Sequence, residues 1–151
     1  MSPRSIELAT RIALVAMGLF TAVPVLSLIQ PGQLESGYGI VDPDPMLLTL
    51  LQHRGVFQAL AGAALVWAAA RPDVRIPVAA GVIVAKTTAL VLTVSRPQAQ
   101  AQADPFIQGF DVFCVLALAL IIAGTARGTW ALGLRRHRGG GRAVERRRRF
   151  V

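Results

Sequence analysis

The sequence predicts an all-α integral membrane protein, an antiparallel bundle of four transmembrane helices running up-down-up-down. Three observations predict it. Of 151 residues, 54% are hydrophobic and 16% charged, too few charges for the surface of a soluble domain this long. The charges are also badly mixed, with the basic residues crowded into the last quarter and long uncharged runs in the middle. Finally, four apolar segments approach the roughly 20 residues that cross a hydrocarbon core ~30 Å thick.

The first segment covers residues 6–29, with Pro24 late enough to kink a helix without preventing a span. Its basic flank, Arg4 and Arg11, invites comparison with a secretory signal, but the apolar stretch is long and no A-x-A cleavage site follows it, so it reads as a retained helix. The second segment covers 46–70 and is interrupted by His53 and Arg54 in its early turns. The third covers 76–94 and the fourth 106–126. Breakers separate them: Gln30-Pro31-Gly32, Asp42-Pro43-Asp44-Pro45, Arg71-Pro72-Asp73, and the stretch from Arg96-Pro97 to Asp104-Pro105. Connections this short join antiparallel neighbours. Residues 1–130 thus form the transmembrane domain. Residues 131–151, rich in Gly and Arg, have too few apolar residues to fold and read as a disordered basic cytoplasmic tail.

Orientation follows from the loops. Arg4, Arg11, Arg71, Arg75, Arg127 and the tail arginines lie on one side. The other side carries Arg96 against Glu35, Asp42, Asp44 and Asp104. The positive-inside rule places both termini in the cytoplasm, with Trp67 and Trp130 near that interface. The formal net charge is +8, and its placement beside apolar spans points to anionic lipid as the partner of the tail rather than nucleic acid. A protein partner or a second copy of the chain stays open.

Several chemistries are excluded. One cysteine, Cys114, allows neither an internal disulfide nor a CxxC redox pair, and in an apolar run it reads as a packing residue. The two histidines, His53 and His137, fall on opposite sides of the membrane, so no metal site is implied. No Ser-His-Asp order, phosphate loop or H-E-x-x-H motif appears, and no cofactor is called for.

Chemistry, if any, rests on polar residues inside the spans, where a charge costs ~2.5–3.5 kcal/mol on insertion scales and normally faces a cavity or a partner. At 1.5 Å per residue, Arg54 and Lys86 each lie about 12 Å below the outer surface and Asp111 about 7 Å below it. Gln58 is one turn beyond Arg54 on the same face, and Gln108 three residues before Asp111. His53 adds a proton acceptor near neutral pH. These six residues form a candidate ligand-binding cluster in the outer half of the bundle. Its structural alternative is a charge pair that fixes helix registry. Small residues, Gly55, Ala59, Gly62 and Ala63 in the second helix and Ala80, Gly81 and Ala85 in the third, suit close helix packing.

The run Leu51-Gln52-His53-Arg54-Gly55-Val56-Phe57, with Lys86 and Asp111, resembles the small four-helix bacterial membrane proteins grouped with the DoxX-like superfamily. Members carry an Arg-Gly at the start of the second helix, a basic residue in the third and an acidic one in the fourth. Where an acidic residue precedes that arginine in the family, this chain has Gln52 and His53. The resemblance implies the bundle fold and a bacterial plasma-membrane location, and supplies no activity. The expectation is a non-enzymatic accessory membrane protein, able to hold a small polar or anionic ligand. The rivals are a membrane enzyme acting on a lipid or hydrophobic metabolite, with Asp111 and His53 as acid-base groups, and a small transporter subunit.

Overall fold

Proline sets where the helices begin. In the computed structural model, which describes the backbone of residues 2–30 and 32–148 and the side chains of 2–30, 32–35 and 39–126, α1 (Pro3–Ala22), α3 (Pro45–Ala70), α5 (Pro97–Gln102) and α6 (Pro105–Arg148) each start on a proline. Its missing N–H is no loss in a first turn, and its fixed φ suits a helix. For α1, α3 and α6 the residue before supplies a side-chain cap, and for α5 Arg96 does not. Ser2 Oγ accepts from the Ser5 amide at 3.2 Å. Asp44 Oδ1 accepts from the Met46 and Leu47 amides at 2.9 and 3.1 Å, and Asp104 Oδ1 from the Phe106 amide at 2.7 Å. The Asp-Pro pairs that read as breakers are therefore starters.

Two short helices lie where the sequence suggested loops: α2 (Gln33–Tyr38), closed by Gly39 in the left-handed conformation at φ 64°, and α5. After α1 the chain tightens into a 3₁₀ stretch, Val23–Leu28, because Pro24 has no N–H to continue the α ladder. Ser27 Oγ donates to the Pro24 carbonyl at 2.8 Å, and Gln52 Nε2 on α3 donates to the Ser27 carbonyl at 3.1 Å. A second 3₁₀ turn, Pro72–Val74, leads into α4 (Arg75–Val94).

The long helices pair as two consecutive hairpins. α1 and its 3₁₀ extension lie along α3, α4 lies along α6, and contact between α3 and α4 is slighter. Glycine makes the first pairing close. A Cβ on Gly18 would stand 2.6 Å from the Gly62 carbonyl oxygen, and one on Gly55 would stand 2.7 Å from that of Pro24. Residue numbers rise on one side of this contact as they fall on the other, so the two helices are antiparallel. Gly81, by contrast, meets nothing.

Where the hairpins meet, Leu14 and Met17 of α1, Leu65, Ala68 and Ala69 of α3, Ala79 and Val82 of α4, and Cys114 and Leu118 of α6 form one buried cluster. It occupies the half of the molecule nearest the start of α1. Elsewhere Leu34 of α2 is buried, but many large apolar side chains face outward, among them Leu19, Leu60, Phe113, Leu116 and Leu120, as lipid rather than water would require.

Among the described residues three helical segments are long and apolar enough to cross a membrane: Pro3–Leu28, Pro72–Val94 and Pro105–Ala126. The 26 residues of α3 have the length but not the apolarity, because Gln52, His53, Arg54 and Gln58 fall in the same two turns. The helix of α6 runs on to Arg148, through most of the stretch assigned to the basic tail. The side chains from residue 127 onward, Trp130 and His137 included, lie outside the described residues.

Candidate functional site

Beyond the core the seam between the hairpins widens into a cavity of about 210 Å³. Thr21 of α1 and Arg54, Phe57, Gln58 and Ala61 of α3 form one wall, and Val82, Ala85, Lys86 and Ala89 of α4 with Asp111 of α6 form the other. Four of the six residues singled out by the sequence are thus brought together: Arg54, Gln58, Lys86 and Asp111. The i, i+4 spacing of Arg54 and Gln58 puts both on the face of α3 that lines the cavity, Arg54 at an exposed position and Gln58 half-buried.

Lys86 and Asp111 are joined directly, Nζ donating to Oδ1. The residue Lys86 is 8% exposed, and its ammonium also lies 5.1 Å from the centroid of the Phe110 ring, a second source of attraction for a desolvated cation. Phe110 in turn stacks on Phe20 of α1 with centroids 4.5 Å apart, and Phe106 approaches Phe20 at 5.9 Å. These rings link α1 to α6 beside the charge pair.

The other two candidates lie elsewhere. His53 is exposed and packs edge-on against Phe57 at 4.7 Å, because one residue along a helix is a rotation of about 100° and takes its side chain off Arg54's face. Gln108 is half-buried and is not part of the cavity wall.

Thr21 is the residue that sequence reasoning missed. Threonines in helices commonly bond their own backbone, and Thr49, Thr93 and Thr125 do so, donating to the carbonyls of Pro45, Ala89 and Ile121 at 2.8, 2.9 and 2.8 Å. Thr21 Oγ1 has no such partner although the residue is 6% exposed. The same holds for Gln58 Oε1. Both residues line the seam cavity, so two buried oxygens with unused lone pairs lie in its wall together with the Lys86–Asp111 pair.

A second polar cluster lies at the opposite end of the seam. Arg75, 5% exposed, forms a two-pronged ion pair with Glu7, donating from Nη1 to Oε2 at 2.8 Å and from Nη2 to Oε1 at 2.7 Å. Its Nε and Nη2 also donate to the carbonyls of Ala68 and Ala69 at 3.0 and 3.2 Å, which the end of α3 leaves without helical partners. Arg11 adds a further bond to Glu7 Oε1 at 2.7 Å. One guanidinium thereby fastens α1, α3 and α4 together. The sequence carried a signal for this: Glu7 is the only acidic residue before Glu35, and Arg75 opens a helix on the same side. Replacing Arg75 with Lys keeps the charge and loses the planar fork. The expected loss is about 2 kcal/mol, read as a lower midpoint of heat unfolding in detergent. An unchanged midpoint would mean the fork is not needed.

Adjoining the seam cavity on the side of Arg54 is a second, more open pocket of about 420 Å³, lined by Arg54 and by Ala85, Thr88, Ala89, Leu92, Thr93, Arg96 and Ala99. The two share Arg54, Ala85 and Ala89. Set against family models, curated proteins and solved structures, the chain matches none of them.

Proposed function

We propose that this chain is a membrane protein whose four long helices form an antiparallel bundle with both termini in the cytoplasm, and that its seam cavity binds a small polar or anionic molecule reaching it from the outer side. The role is that of a non-enzymatic accessory protein. The observation that carries the reading is the pair of buried, unpartnered oxygens, Thr21 Oγ1 and Gln58 Oε1, in two residues that line one cavity. Each such group costs the fold about 1–3 kcal/mol, and a cost of that size is retained where the site serves a ligand. A Lys–Asp pair that served registry alone would account for Lys86 and Asp111 but not for the two oxygens. In this reading α3 crosses the bilayer despite its polar turns, because Arg54 and Gln58 line the cavity. The Arg-rich end of the chain lies on anionic lipid. The DoxX-like resemblance of Arg54-Gly55, Lys86 and Asp111 fits the same picture.

Thr21→Val tests it, since the change removes the hydroxyl and keeps the shape. The purified variant should unfold at a higher temperature than the parent by the equivalent of about 1 kcal/mol. It should also lose the stabilisation that small hydroxy acids or diols give the parent in a thermal-shift screen. A variant less stable than the parent, with no probe added, would show that the hydroxyl already has a partner in the folded protein, and the reading would fall.

A further inference from the structure

We propose that the outward face of α3 pairs with the same face of a second copy of this chain, as parallel helices about a two-fold axis along the membrane normal, with His53 meeting its counterpart across that axis. The inference rests on α3 crossing the bilayer and is independent of what the seam cavity binds.

The contact that α3 already makes fixes which face is left over. Gly55 and Gly62 turn towards α1. At 100° per residue, His53 lies half a turn of the helix away from Gly62, on the far side. Around it Met46, His53, Leu60 and Trp67 recur every seven residues, and Leu50 and Phe57 fall between them at the second position of the same heptad. Such a stripe is the seam of a two-stranded, left-handed helix pair. It runs for ~30 Å, the thickness of the hydrocarbon core. Its five apolar members are each more than half exposed.

Lipid would cover those five equally well, and His53 decides against it. The exposed residues of α1 beyond Arg11, of α4, and of α6 as far as Gly124 include no titratable group. On α3 an exposed imidazole stands about 12 Å along the helix from its start. It has its edge against Phe57 and no hydrogen bond among the described residues. Hydrocarbon offers it no partner, and a second imidazole does. A neutral ring carries one N–H donor and one acceptor nitrogen, so His53 is complementary to itself, as a contact about a two-fold axis requires. A like charge in that place would repel its own copy. Arg54, next in sequence, lines the cavity and lies off this seam. One polar residue at the first heptad position is also what fixes register and strand number in paired helices.

Two measurements on the full chain in phosphatidylcholine vesicles test the pairing. Copies labelled at the amino terminus with a donor or an acceptor dye should show energy transfer that falls as lipid dilutes them. His53→Leu should weaken association about tenfold or more, and His53→Asn, which keeps a donor and an acceptor, should retain most of it. In a Cys114→Ala background, which removes the buried native thiol, Leu60→Cys should cross-link to its own kind under copper-phenanthroline oxidation. Leu120→Cys, on the outward face of α6, should not. If His53→Leu associates as tightly as the parent, or position 120 cross-links as readily as position 60, the pairing is overturned. Labelling of Leu60→Cys by a membrane-impermeant maleimide would show that α3 does not cross the bilayer, and would overturn the pairing and the bundle together. Neither His53 nor Leu60 lines the seam cavity. A chain monomeric at every dilution would therefore overturn the pairing and leave the cavity reading standing.

Discussion

Lys86→Ala should be among the most damaging single changes in this protein, lowering its stability by about 3–5 kcal/mol. The cost comes less from the lost ion pair than from what is left behind. Asp111 would sit in the seam without its cation, and a buried charge with no partner must either protonate or draw in water. Asp111→Ala should do comparable harm by stranding the ammonium. Removing both charges with groups of similar volume, Lys86→Met with Asp111→Leu, should restore most of the loss, since an apolar replacement of a desolvated pair is often neutral or better. Unfolding by heat or by SDS in mixed micelles measures all four proteins. Two single variants as stable as the parent would show that the pair is solvated, and its place in the cavity wall would need another reason.

Gly62→Ala should be nearly as severe, about 2–3 kcal/mol, although it adds a single methyl group. That methyl would run into the carbonyl oxygen of Gly18 and stand 3.1 Å from the Ala22 Cβ. Backbone cannot rotate aside as a side chain can, so α1 and α3 would have to part along their length. Thr21 lies three residues from Gly18 and would move with it, so binding of any probe to the seam cavity should weaken too. Gly81→Ala is the control. A Cβ there meets nothing, and alanine's helix propensity should make it neutral or stabilising by up to about 1 kcal/mol. Equal effects at the two positions would mean that helix propensity, and not close approach, sets the requirement for glycine.

These two cases show what could be read from the chain alone. The helices were legible because an apolar run of membrane length admits few other structures. The meeting of Lys86 with Asp111 was legible because charges at similar depths in adjacent spans have nowhere else to go. Close packing was legible as a tendency, and Gly55 and Gly62 carry it. Which small residues mattered was not: Gly18, the partner of Gly62, drew no notice, while Gly81, equally small, packs against nothing. Sequence gives the spacing along one helix but not the rotation that turns a given face to its neighbour. The same gap explains His53, adjacent to Arg54 in the chain and pointed elsewhere in the fold. Arg75 was weighed as a charge that orients the chain, a role for which its partner is irrelevant, and its two-pronged grip on Glu7 went unseen. Thr21 offered no cue at all, because a threonine in an apolar helix looks alike whether its hydroxyl bonds its own backbone or a cavity.

The Glu7–Arg75 pair and the seam cavity lie at opposite ends of the same joint, and this arrangement has a mechanical consequence. Near Arg75 the two hairpins are riveted by the Glu7–Arg75 ion pair and by the cluster around Leu14, Leu65, Ala79 and Leu118. About 16 Å further along α4, at Lys86, the same hairpins face one another across open space. A joint stiff at one end and compliant at the other works as a pair of jaws. A small rotation about the rivet hardly disturbs the core, yet it is magnified at the tips, where Thr21 and Gln58 oppose Lys86. Opening that end would part Phe20 from Phe106 and Phe110 and leave the core cluster and the Glu7–Arg75 pair in place.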